Sequence, residues 1–320
     1  MSPGSEAVRA VICTGYGPPE VLRLAEVARP VPRKNEIRIR IVATSVSFSD
    51  TLVRGMRVPR RMRIPFRLLA GWTAPRRSIL GMVLAGDVES VGRNVIAFKP
   101  GDQVFGMSPW RVGAYAEEVC WPDNTVLALR PQNLSYEEAA ALPYGGLLAM
   151  HCLRKAKVLP GQRVLIYGAS GAIGTAAVQL AKHFGAHVTG VCSGANFALV
   201  ESLGADAVLD YTREDFTKAG QLYDLILDAV GRGKSAGAMR EADRALATGG
   251  KRISIDDDFP KSTQANLGLL KQLAESGALK PVVDRVYTLG EIAEAHRYVD
   301  LGHKKGAVVV TVAARDRGPN

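Results

Sequence analysis

The segment that most constrains this chain is residues 163–184, which change character twice. They begin with an apolar, β-prone run, turn through small residues and continue as an alanine-rich amphipathic stretch. A buried parallel strand, a tight turn and the start of a helix produce this order. Gly168, Gly171 and Gly174 recur at every third position of the turn. They are suited to a sharp bend, to the close approach of a pyrophosphate and to tight packing of the helix, respectively.

This context predicts a dinucleotide site, because free backbone N–H groups and the positive end of a helix favour phosphates. The alternative is an α/β protein whose glycine-rich turn binds nothing. The turn residues expected to hold the cofactor are Gly168, Ala169, Ser170, Gly171, Ala172 and Ile173.

Segments with strand and helix patterns alternate after residue 131. The predicted helices are residues 135–141, 146–157, 197–203 and 261–276. The predicted strands after the turn are residues 187–192, 207–210, 222–228 and 252–255. This alternation predicts an α/β fold with a doubly wound parallel sheet and helices on both of its faces.

The first third of the chain has a different texture. Its β-rich segments are short and punctuated by glycine, and in residues 36–44 isoleucine alternates with arginine or valine. A period of two is typical of a half-buried strand, and many such strands predict a small β-barrel domain. Residues 282–312 share this texture, so we expect the end of the chain to fold back onto the barrel.

Length and composition exclude several classes of protein. With 320 residues, 47% of them hydrophobic, the chain can form two domains with sizeable cores. It contains no apolar run of about 18 residues, so we predict no membrane span. Met1–Glu6 lack the charged and apolar regions of a secretory signal. Cys13, Cys120, Cys152 and Cys192 have neither metal-binding nor obvious disulfide spacing, and the predicted compartment is the cytoplasm.

The net charge of +10 is concentrated in one segment. No acidic residue lies between Asp50 and Asp87. The arginines of this basic segment are Arg54, Arg57, Arg60, Arg61, Arg63, Arg67, Arg76 and Arg77. The segment could bind nucleic acid or an acidic membrane surface, or attract a phosphorylated cofactor. The sequence alone favours a solvated basic loop, because charge runs usually lie in solvent and no nucleic-acid motif is present. We therefore predict no nucleic-acid partner.

Further motifs accompany the glycine turn. They are residues 80–81, 85–92, 99–106, 139–146, 202–206, 228–231 and 294–297. With these motifs the chain resembles the medium-chain dehydrogenase/reductase superfamily over nearly its whole length, specifically the zinc-free quinone oxidoreductase (zeta-crystallin-like) branch. The resemblance implies a GroES-like β-barrel domain of residues 1–125 and 282–320. It also implies a Rossmann domain of residues 126–281, with the active site in the cleft.

The resemblance also bears on zinc. Zinc-containing relatives have cysteine at the position of Ser47, His-Glu at Met82 and Val83, and a further ligand near Tyr144. A hydroxyl, a thioether and an aliphatic side chain do not make the nitrogen, sulfur and carboxylate set that zinc requires. The four-cysteine lobe that binds structural zinc is also missing from the sequence. We therefore expect no metal site.

Chemistry without zinc favours a conjugated acceptor. Alcohol oxidation loses its usual Lewis acid, whereas the charge of an incoming hydride spreads over a quinone or an enone. We predict NAD(P)H-dependent hydride transfer to a quinone or α,β-unsaturated carbonyl, in which the protein positions the reactants and excludes water. One alternative is a pathway-specific enoyl or double-bond reductase. Another is a low-turnover NADPH-binding redox sensor or structural protein.

The cofactor preference depends on the residues after the second strand of the sheet. NAD enzymes usually have an acidic residue there, whereas this chain continues as Cys192, Ser193 and Gly194. Ser193 and Asn196 are expected to donate to the 2′-phosphate of NADPH, although the lysine or arginine of many relatives is missing. NADPH is the favoured cofactor, and NADH stays open. The resemblance places further cofactor contacts at Tyr211, Ala229, Val230 and Gly231.

The resemblance also suggests catalytic residues. Ser47 occupies a position near the nicotinamide, and Asp50 matches a recurring acidic position. Tyr144 is a candidate proton donor, with plain packing in an apolar helix as the alternative. The segment after Ile255 is shorter than in relatives. This difference puts the usual homodimer in doubt.

Overall fold

The computed structural model describes residues 7–58 and 63–312. Met1–Glu6, Arg60 and Arg61 of the basic segment, and residues 313–320 of the expected barrel lie outside the described residues. The chain divides into two compact units. The first contains residues up to Pro143, Val283–His303 and residues from Val308 onward. The second contains Tyr144–Val282 and Lys304–Ala307, so the first change of unit comes later than the expected boundary at residue 125.

Strands predominate in the first unit, whereas strands and helices alternate in the second. The strands are β1 (Ala7–Cys13), β2 (Leu22–Ala28), β3 (Glu36–Val46), β4 (Val83–Val91), β5 (Gln103–Met107), β6 (Glu118–Pro122), β7 (Val126–Leu129), β8 (Arg163–Tyr167), β9 (His187–Cys192), β10 (Ala207–Asp210), β11 (Tyr223–Asp228), β12 (Leu246–Ser254), β13 (Val283–Thr288) and β14 (Ala307–Thr311). The α-helices are α1 (Phe48–Gly55), α2 (Arg63–Ala70), α3 (Tyr136–Ala156), α4 (Ala172–His183), α5 (Phe197–Ser202), α6 (Arg232–Ser235), α7 (Gln264–Glu275) and α8 (Ile292–Leu301).

The first unit is built around a seven-stranded sheet. Its order is β13-β14-β3-β4-β5-β7, with β6 paired to β3, and β1 and β2 form a separate antiparallel pair. Ile37, Ile39 and Ile41 of β3 are completely buried, as their alternation predicts, and contribute to the core of this unit. Strand β14 pairs with β3, which brings the end of the chain into this sheet.

The second unit contains a parallel five-stranded sheet. Its order is β10-β9-β8-β11-β12. Successive strands are added on one side from β8 to β10 and on the other side from β11 to β12, so the strand order reverses between β8 and β11. This confirms the predicted Rossmann topology. In such sheets a ligand binds outside the carboxyl ends of the strands at the point of reversal, which here lies at the end of β8.

Helix α3 differs from the sequence prediction. The sequence predicts two helical segments interrupted near Pro143, whereas the structure has one continuous helix that includes this proline. Pro143 removes one backbone hydrogen bond from the helix. Leu142 and Leu147 on either side of it are buried. We attribute the continuity to this packing, since burial of an apolar face supplies most helix stability in proteins.

The described parts of the chain, residues 7–58 and 63–312, contain no helix with the length and apolar character needed to cross a membrane.

A buried ion pair joins α1 to α8 in the first unit. The guanidinium of Arg54 has a side-chain exposure of 3% and donates to Asp300 at 2.6 Å. Replacing Asp300 with alanine leaves this cation buried without its partner, so we expect Asp300→Ala to lower the free energy of unfolding by about 3 kcal/mol. Urea denaturation measures the change. Glu294→Ala removes the exposed partner of Arg297 on the same helix and should have no measurable effect. Equal losses in both variants would contradict this assignment.

Candidate dinucleotide site and candidate catalytic residues

The glycine turn joins β8 to α4 and is held by the neighbouring strand. The N–H groups of Gly168 and Ala169 donate to the carbonyl oxygen of Val191 at 2.9 and 3.0 Å. Gly168 has a φ of +83°, a left-handed conformation that glycine adopts without strain. A Cβ at Gly168 would lie 2.4 Å from Cγ2 of Val230. Glycine therefore permits both the sharp turn and the approach of the loop that follows β11.

Gly171 and Gly174 have different surroundings. A Cβ on Gly174 would lie 2.1 Å from the carbonyl oxygen of Gly168, so glycine is required for α4 to pack this closely on the turn. A Cβ on Gly171 would meet only that same oxygen, at 3.5 Å. The N–H groups in the first turn of α4 have no partner inside the helix. This open backbone and these N–H groups form a cradle that fits a phosphate.

Lys304–Ala307, from near the end of the chain, contacts the turn. The N–H of Gly306 donates to the carbonyl oxygen of Ser170 at 2.8 Å, and Gly306 forms a parallel β-bridge with Gly171. Gly306 has a φ of +64°, and a Cβ there would lie 2.2 Å from the carbonyl oxygen of Val282. No motif in the sequence points to Gly306, because it lies far from the turn in the chain.

Two serines and an asparagine form a cluster beyond β8 and β9. Nδ2 of Asn196 donates to Oγ of Ser170 at 3.1 Å and to Oγ of Ser193 at 3.2 Å. Oδ1 of Asn196 is buried and has no hydrogen-bond partner among the described residues. The serines accept from Asn196 and therefore keep their own hydroxyl protons for a ligand. The sequence predicts that Asn196 donates to the 2′-phosphate, whereas in the structure its NH2 group donates to the two serines.

An acidic residue missed by the sequence analysis lies at the end of β10. Asp210 accepts the N–H of Gly194, and its Oδ1 accepts the N–H and hydroxyl of Thr212 at 2.9 and 2.7 Å. These hydrogen bonds, first those from Thr212, hold the pKa of Asp210 below its usual value. The carboxylate is therefore charged beside the loop expected to bind the 2′-phosphate. The Nε atom of Arg213 lies 3.9 Å from it.

Tyr211 follows directly and presents an aromatic ring. Its ring centroid is 6.3 Å from that of Tyr167, and 47% of the residue is exposed. Both tyrosines and Phe216 line a cavity of about 430 Å³. The ring of Tyr211 is thus accessible for stacking.

The loop after β11 is fixed by a buried carboxylate. Oδ1 of Asp228 accepts the N–H groups of Val230 and Gly231 at 3.0 and 3.1 Å. The N–H of Ala229 donates to the carbonyl oxygen of Tyr167 at 3.0 Å. The predicted residues Ala229, Val230 and Gly231 therefore lie next to the end of β8, close to the glycine turn.

Ser47 and Asp50 form the N-terminal cap of α1 in the first unit. Oδ2 of Asp50 accepts the N–H and the hydroxyl of Ser47 at 2.8 and 2.6 Å. Oγ of Ser47 accepts the N–H of Asp50 at 3.2 Å, which completes a capping box. The carboxyl of Asp50 also accepts the hydroxyl of Tyr115 and the N–H of Gly81. Both Ser47 and Asp50 are buried.

Burial and hydrogen bonding oppose each other at Asp50. Removal from water raises the pKa of Asp50 more than the donors from Ser47, Tyr115 and Gly81 lower it, so the resulting pKa is about 6. Gly81 is required here, since its φ is +88° and a Cβ would lie 2.5 Å from the ring of Tyr115. The carboxyl of Asp50 can therefore exist in either protonation state near neutral pH.

Behind Asp50 lies a histidine from the far end of the chain. Nε2 of His296 is 3.2 Å from the hydroxyl of Tyr115, and both side chains are completely buried. Burial, and then the charge of Arg54, lowers the pKa of His296 to about 3, so the ring is neutral. Burial raises the pKa of Tyr115 well above its usual value. Since Tyr115 donates to Asp50, we assign the proton of His296 to Nε2, from which it donates to Tyr115.

Tyr144, the third catalytic candidate, belongs to the second unit. The structure therefore brings Ser47 and Asp50 together in one unit and places Tyr144 in the other. Met82 and Val83, at positions where zinc-containing relatives have ligands, are buried side chains of the first unit. Within residues 7–58 and 63–312, no group of three or more His, Cys, Asp or Glu side chains is arranged to hold a metal ion.

The surroundings of Gly171 and Gly174 predict different effects of the same substitution. Gly171→Ala adds a methyl group where the free protein has room, so thermal stability should be retained while dinucleotide binding weakens by at least about tenfold. Gly174→Ala forces α4 away from the turn and should lower both the Tm and binding. Thermal unfolding and fluorescence titration with a reduced nicotinamide dinucleotide measure the two properties. Unchanged binding by Gly171→Ala would place the phosphates elsewhere.

Comparison with known families and proteins agrees with this architecture. Residues 33–132 match the family of the alcohol dehydrogenase GroES-like domain. Residues 172–264 and 258–310 match two families described as zinc-binding dehydrogenase.

Individual proteins are similar over nearly the whole chain. The mitochondrial NAD(P)H oxidoreductase RTN4IP1 of Mus musculus is 32% identical, over 96% of this chain and 90% of the relative. The 2-methylene-furan-3-one reductase of Solanum lycopersicum is 33% identical, over 93% and 77%. The structure of the quinone oxidoreductase from Coxiella burnetii superimposes with a TM-score of 0.83 at 27% identity, over 96% of this chain and all of that one. The chain belongs to the medium-chain dehydrogenase/reductase superfamily, in its quinone oxidoreductase-like branch.

Proposed function

We propose that this protein is an NADPH-dependent oxidoreductase that transfers a hydride to a quinone or an α,β-unsaturated carbonyl compound. The phosphate cradle at Gly171 and α4 carries the proposal, because it fits the diphosphate of a nicotinamide dinucleotide. The relatives support the reaction class. The mouse protein is named for NAD(P)H, the tomato protein for a furanone reductase activity, and the Coxiella structure for quinone reduction.

The residues proposed to hold NADPH lie at the carboxyl ends of β8, β9, β10 and β11. Ser170 and Ser193 donate to the 2′-phosphate, and Asn196 orients both hydroxyl groups. Tyr211 stacks at the adenosine end. The carboxylate of Asp210 disfavours a phosphate nearby. However, it already accepts hydrogen bonds from Gly194 and Thr212, and the charge of Arg213 offsets its own. When bound, the reduced nicotinamide supplies the hydride.

The residue types at the zinc positions favour a conjugated acceptor. Ser47, Met82 and Val83 offer a hydroxyl, a thioether and an aliphatic side chain, which are not a zinc ligand set. An acceptor that spreads negative charge through its own conjugated system needs no Lewis acid. This reasoning favours quinones and enones over simple aldehydes as substrates.

Reduction of such an acceptor requires one proton besides the hydride, and we assign its delivery to Ser47. When Asp50 is ionised, the single hydroxyl proton of Ser47 is held by Oδ2 of Asp50. When Asp50 is protonated, its own O–H donates to Oγ of Ser47. Ser47 then accepts twice from Asp50, through the N–H and the O–H, and its proton is free to reach the substrate. As that proton leaves, the O–H proton of Asp50 passes to Oγ of Ser47, so the serine stays neutral and Asp50 becomes ionised.

Oxidation of NADPH by a panel of acceptors tests the proposed function. We expect loss of NADPH absorbance with quinones and enones, little with simple aldehydes, and a lower KM for NADPH than for NADH. A control without acceptor gives the background rate. Activity confined to simple aldehydes, or no turnover with any acceptor, would contradict the proposal.

The role of Asp50 predicts a pH dependence. Raising the pH through about 6 ionises Asp50 and withdraws the Ser47 proton, so kcat should fall across this range. Asp50→Asn should lower kcat and flatten the profile, because its amide NH2 donates to Oγ of Ser47 at every pH but supplies no proton to replace the one that leaves. Loss of one acceptor for backbone donors should cost about 1–3 kcal/mol of stability. Steady-state kinetics against pH measures the effect.

Two further variants separate this role from other causes. Ser47→Ala should lower kcat and remove the same limb of the profile. Asp284→Asn, which alters another carboxylate bound to a tyrosine hydroxyl in this unit, should retain the wild-type profile. A wild-type limb in Asp50→Asn would assign the titration to another group.

The cytoplasmic location stays a prediction, since the mouse relative is named as mitochondrial.

A further inference from the structure

Helix α2 and the residues just after it expose large apolar side chains. Ile64 is 64% exposed, Leu68 is 62% exposed and Trp72 is 57% exposed. Ile64 and Leu68 are four residues apart and therefore lie on the same face of the helix. Isolated exposed apolar residues are ordinary, whereas several in one short segment indicate an interaction surface.

The same segment carries arginines that have no acidic partner. Arg54 and Arg57 both pair with Asp300. In contrast, Arg63, Arg67, Arg76 and Arg77 form no ion pair with any acidic residue of the described chain. Arg60 and Arg61 add two positive charges in the sequence and lie outside the described residues.

Two local contacts fix Arg67 and the residues around Trp72. The guanidinium of Arg67 lies over the ring of Trp72, 5.7 Å from its centroid. The hydroxyl of Tyr16 donates to the carbonyl oxygen of Gly71 at 3.0 Å, which anchors the residue before Trp72.

Burial, and then the nearby charge of Arg111, lowers the pKa of Arg77, so these two arginines repel each other in the free protein. An anion placed beside them would relieve that repulsion.

We propose that this basic apolar patch (Ile64, Leu68, Trp72, Arg67, Arg76 and Arg77) docks the protein on an anionic lipid surface. A short amphipathic helix with arginines, bulky aliphatic residues and a tryptophan has the composition of an element that lies in a membrane interface. Its apolar side chains enter the boundary between headgroups and acyl chains, while the guanidinium groups contact lipid phosphates. The helix lies on the membrane and does not span it.

The charge on the patch disfavours the other occupants. A second copy docked through the same face would bring unpaired arginines of both copies together, which is repulsive. Nucleic acid would use the arginines and leave Ile64 and Leu68 exposed to water. An anionic lipid surface satisfies both the charges and the apolar side chains.

Co-sedimentation with lipid vesicles tests this proposal on the full-length protein. We expect binding to vesicles of mixed phosphatidylcholine and phosphatidylglycerol, and little binding to phosphatidylcholine alone. High salt should release the protein, because exposed charges are screened. The triple variant Ile64→Ser, Leu68→Ser, Trp72→Ser and the triple variant Arg67→Gln, Arg76→Gln, Arg77→Gln should each weaken binding about tenfold or more.

Matched controls use exposed residues of the same types elsewhere in the first unit. Ile96→Ser replaces an isoleucine that is 95% exposed, and Arg93→Gln replaces an exposed arginine. Both should bind anionic vesicles like the wild type. Thermal unfolding and NADPH oxidation check that each variant is folded. Release of the wild-type protein by salt tests the contribution of charge without any variant.

Four outcomes would overturn the proposal. They are no binding to anionic vesicles, equal binding to neutral vesicles, wild-type binding by both triple variants, and a dimer that dissociates when the patch is changed. A DNA oligonucleotide that displaces the protein from vesicles would assign the patch to nucleic acid instead, provided that DNA binding is lost in the arginine triple variant and retained in the apolar triple variant.

Discussion

The close approach of Gly174 to the carbonyl oxygen of Gly168 is the contact on which the dinucleotide site depends. A glycine inside a helix costs about 1 kcal/mol relative to alanine, and α4 accepts this cost at its first turn. In return the helix begins directly against the turn, and its free N–H groups are presented at the end of β8. The open backbone at Gly171 is then left for a ligand. Gly174 therefore lets the helix pack directly against the turn, whereas Gly171 leaves the backbone open to a ligand.

In the first unit, burial and hydrogen bonding have opposite effects on the pKa of Asp50. Four donors converge on its carboxyl, and in water they would hold the group firmly ionised. Burial opposes them strongly enough to bring the two protonation states close in free energy. The ring of Tyr115, which packs against Gly81, contributes to that burial, with His296 of α8 behind it. A cap that is ordinary in its hydrogen bonding thus becomes a group able to control a neighbouring hydroxyl.

Arginines of one short segment have two different fates. Arg54 is buried against Asp300 of α8 and joins two elements of the first unit. Arg67, Arg76 and Arg77 have no such partner in the described chain, and the guanidinium of Arg67 lies over the ring of the exposed Trp72. In the sequence these residues form one run of charge, for which a solvated loop is the simplest interpretation. In three dimensions only part of the run is available to a partner, and that part also exposes an isoleucine, a leucine and a tryptophan.

The sequence by itself determined the features that local rules control. The glycine turn, the alternation that specifies a parallel sheet and the buried isoleucines of β3 follow from the spacing of residues close together in the chain. The positions of Ser47 and Asp50 came from motifs, and their capping box joins residues only three apart. The tertiary structure alone decided what lies behind them. His296 reaches Tyr115 from 181 residues away, and Gly306 meets Ser170 only because the end of the chain returns to the turn. It also decided that Asp210 stands beside Gly194 and that α3 continues through Pro143. Such contacts depend on burial and on strand order, which place distant residues side by side without leaving a local pattern in the sequence.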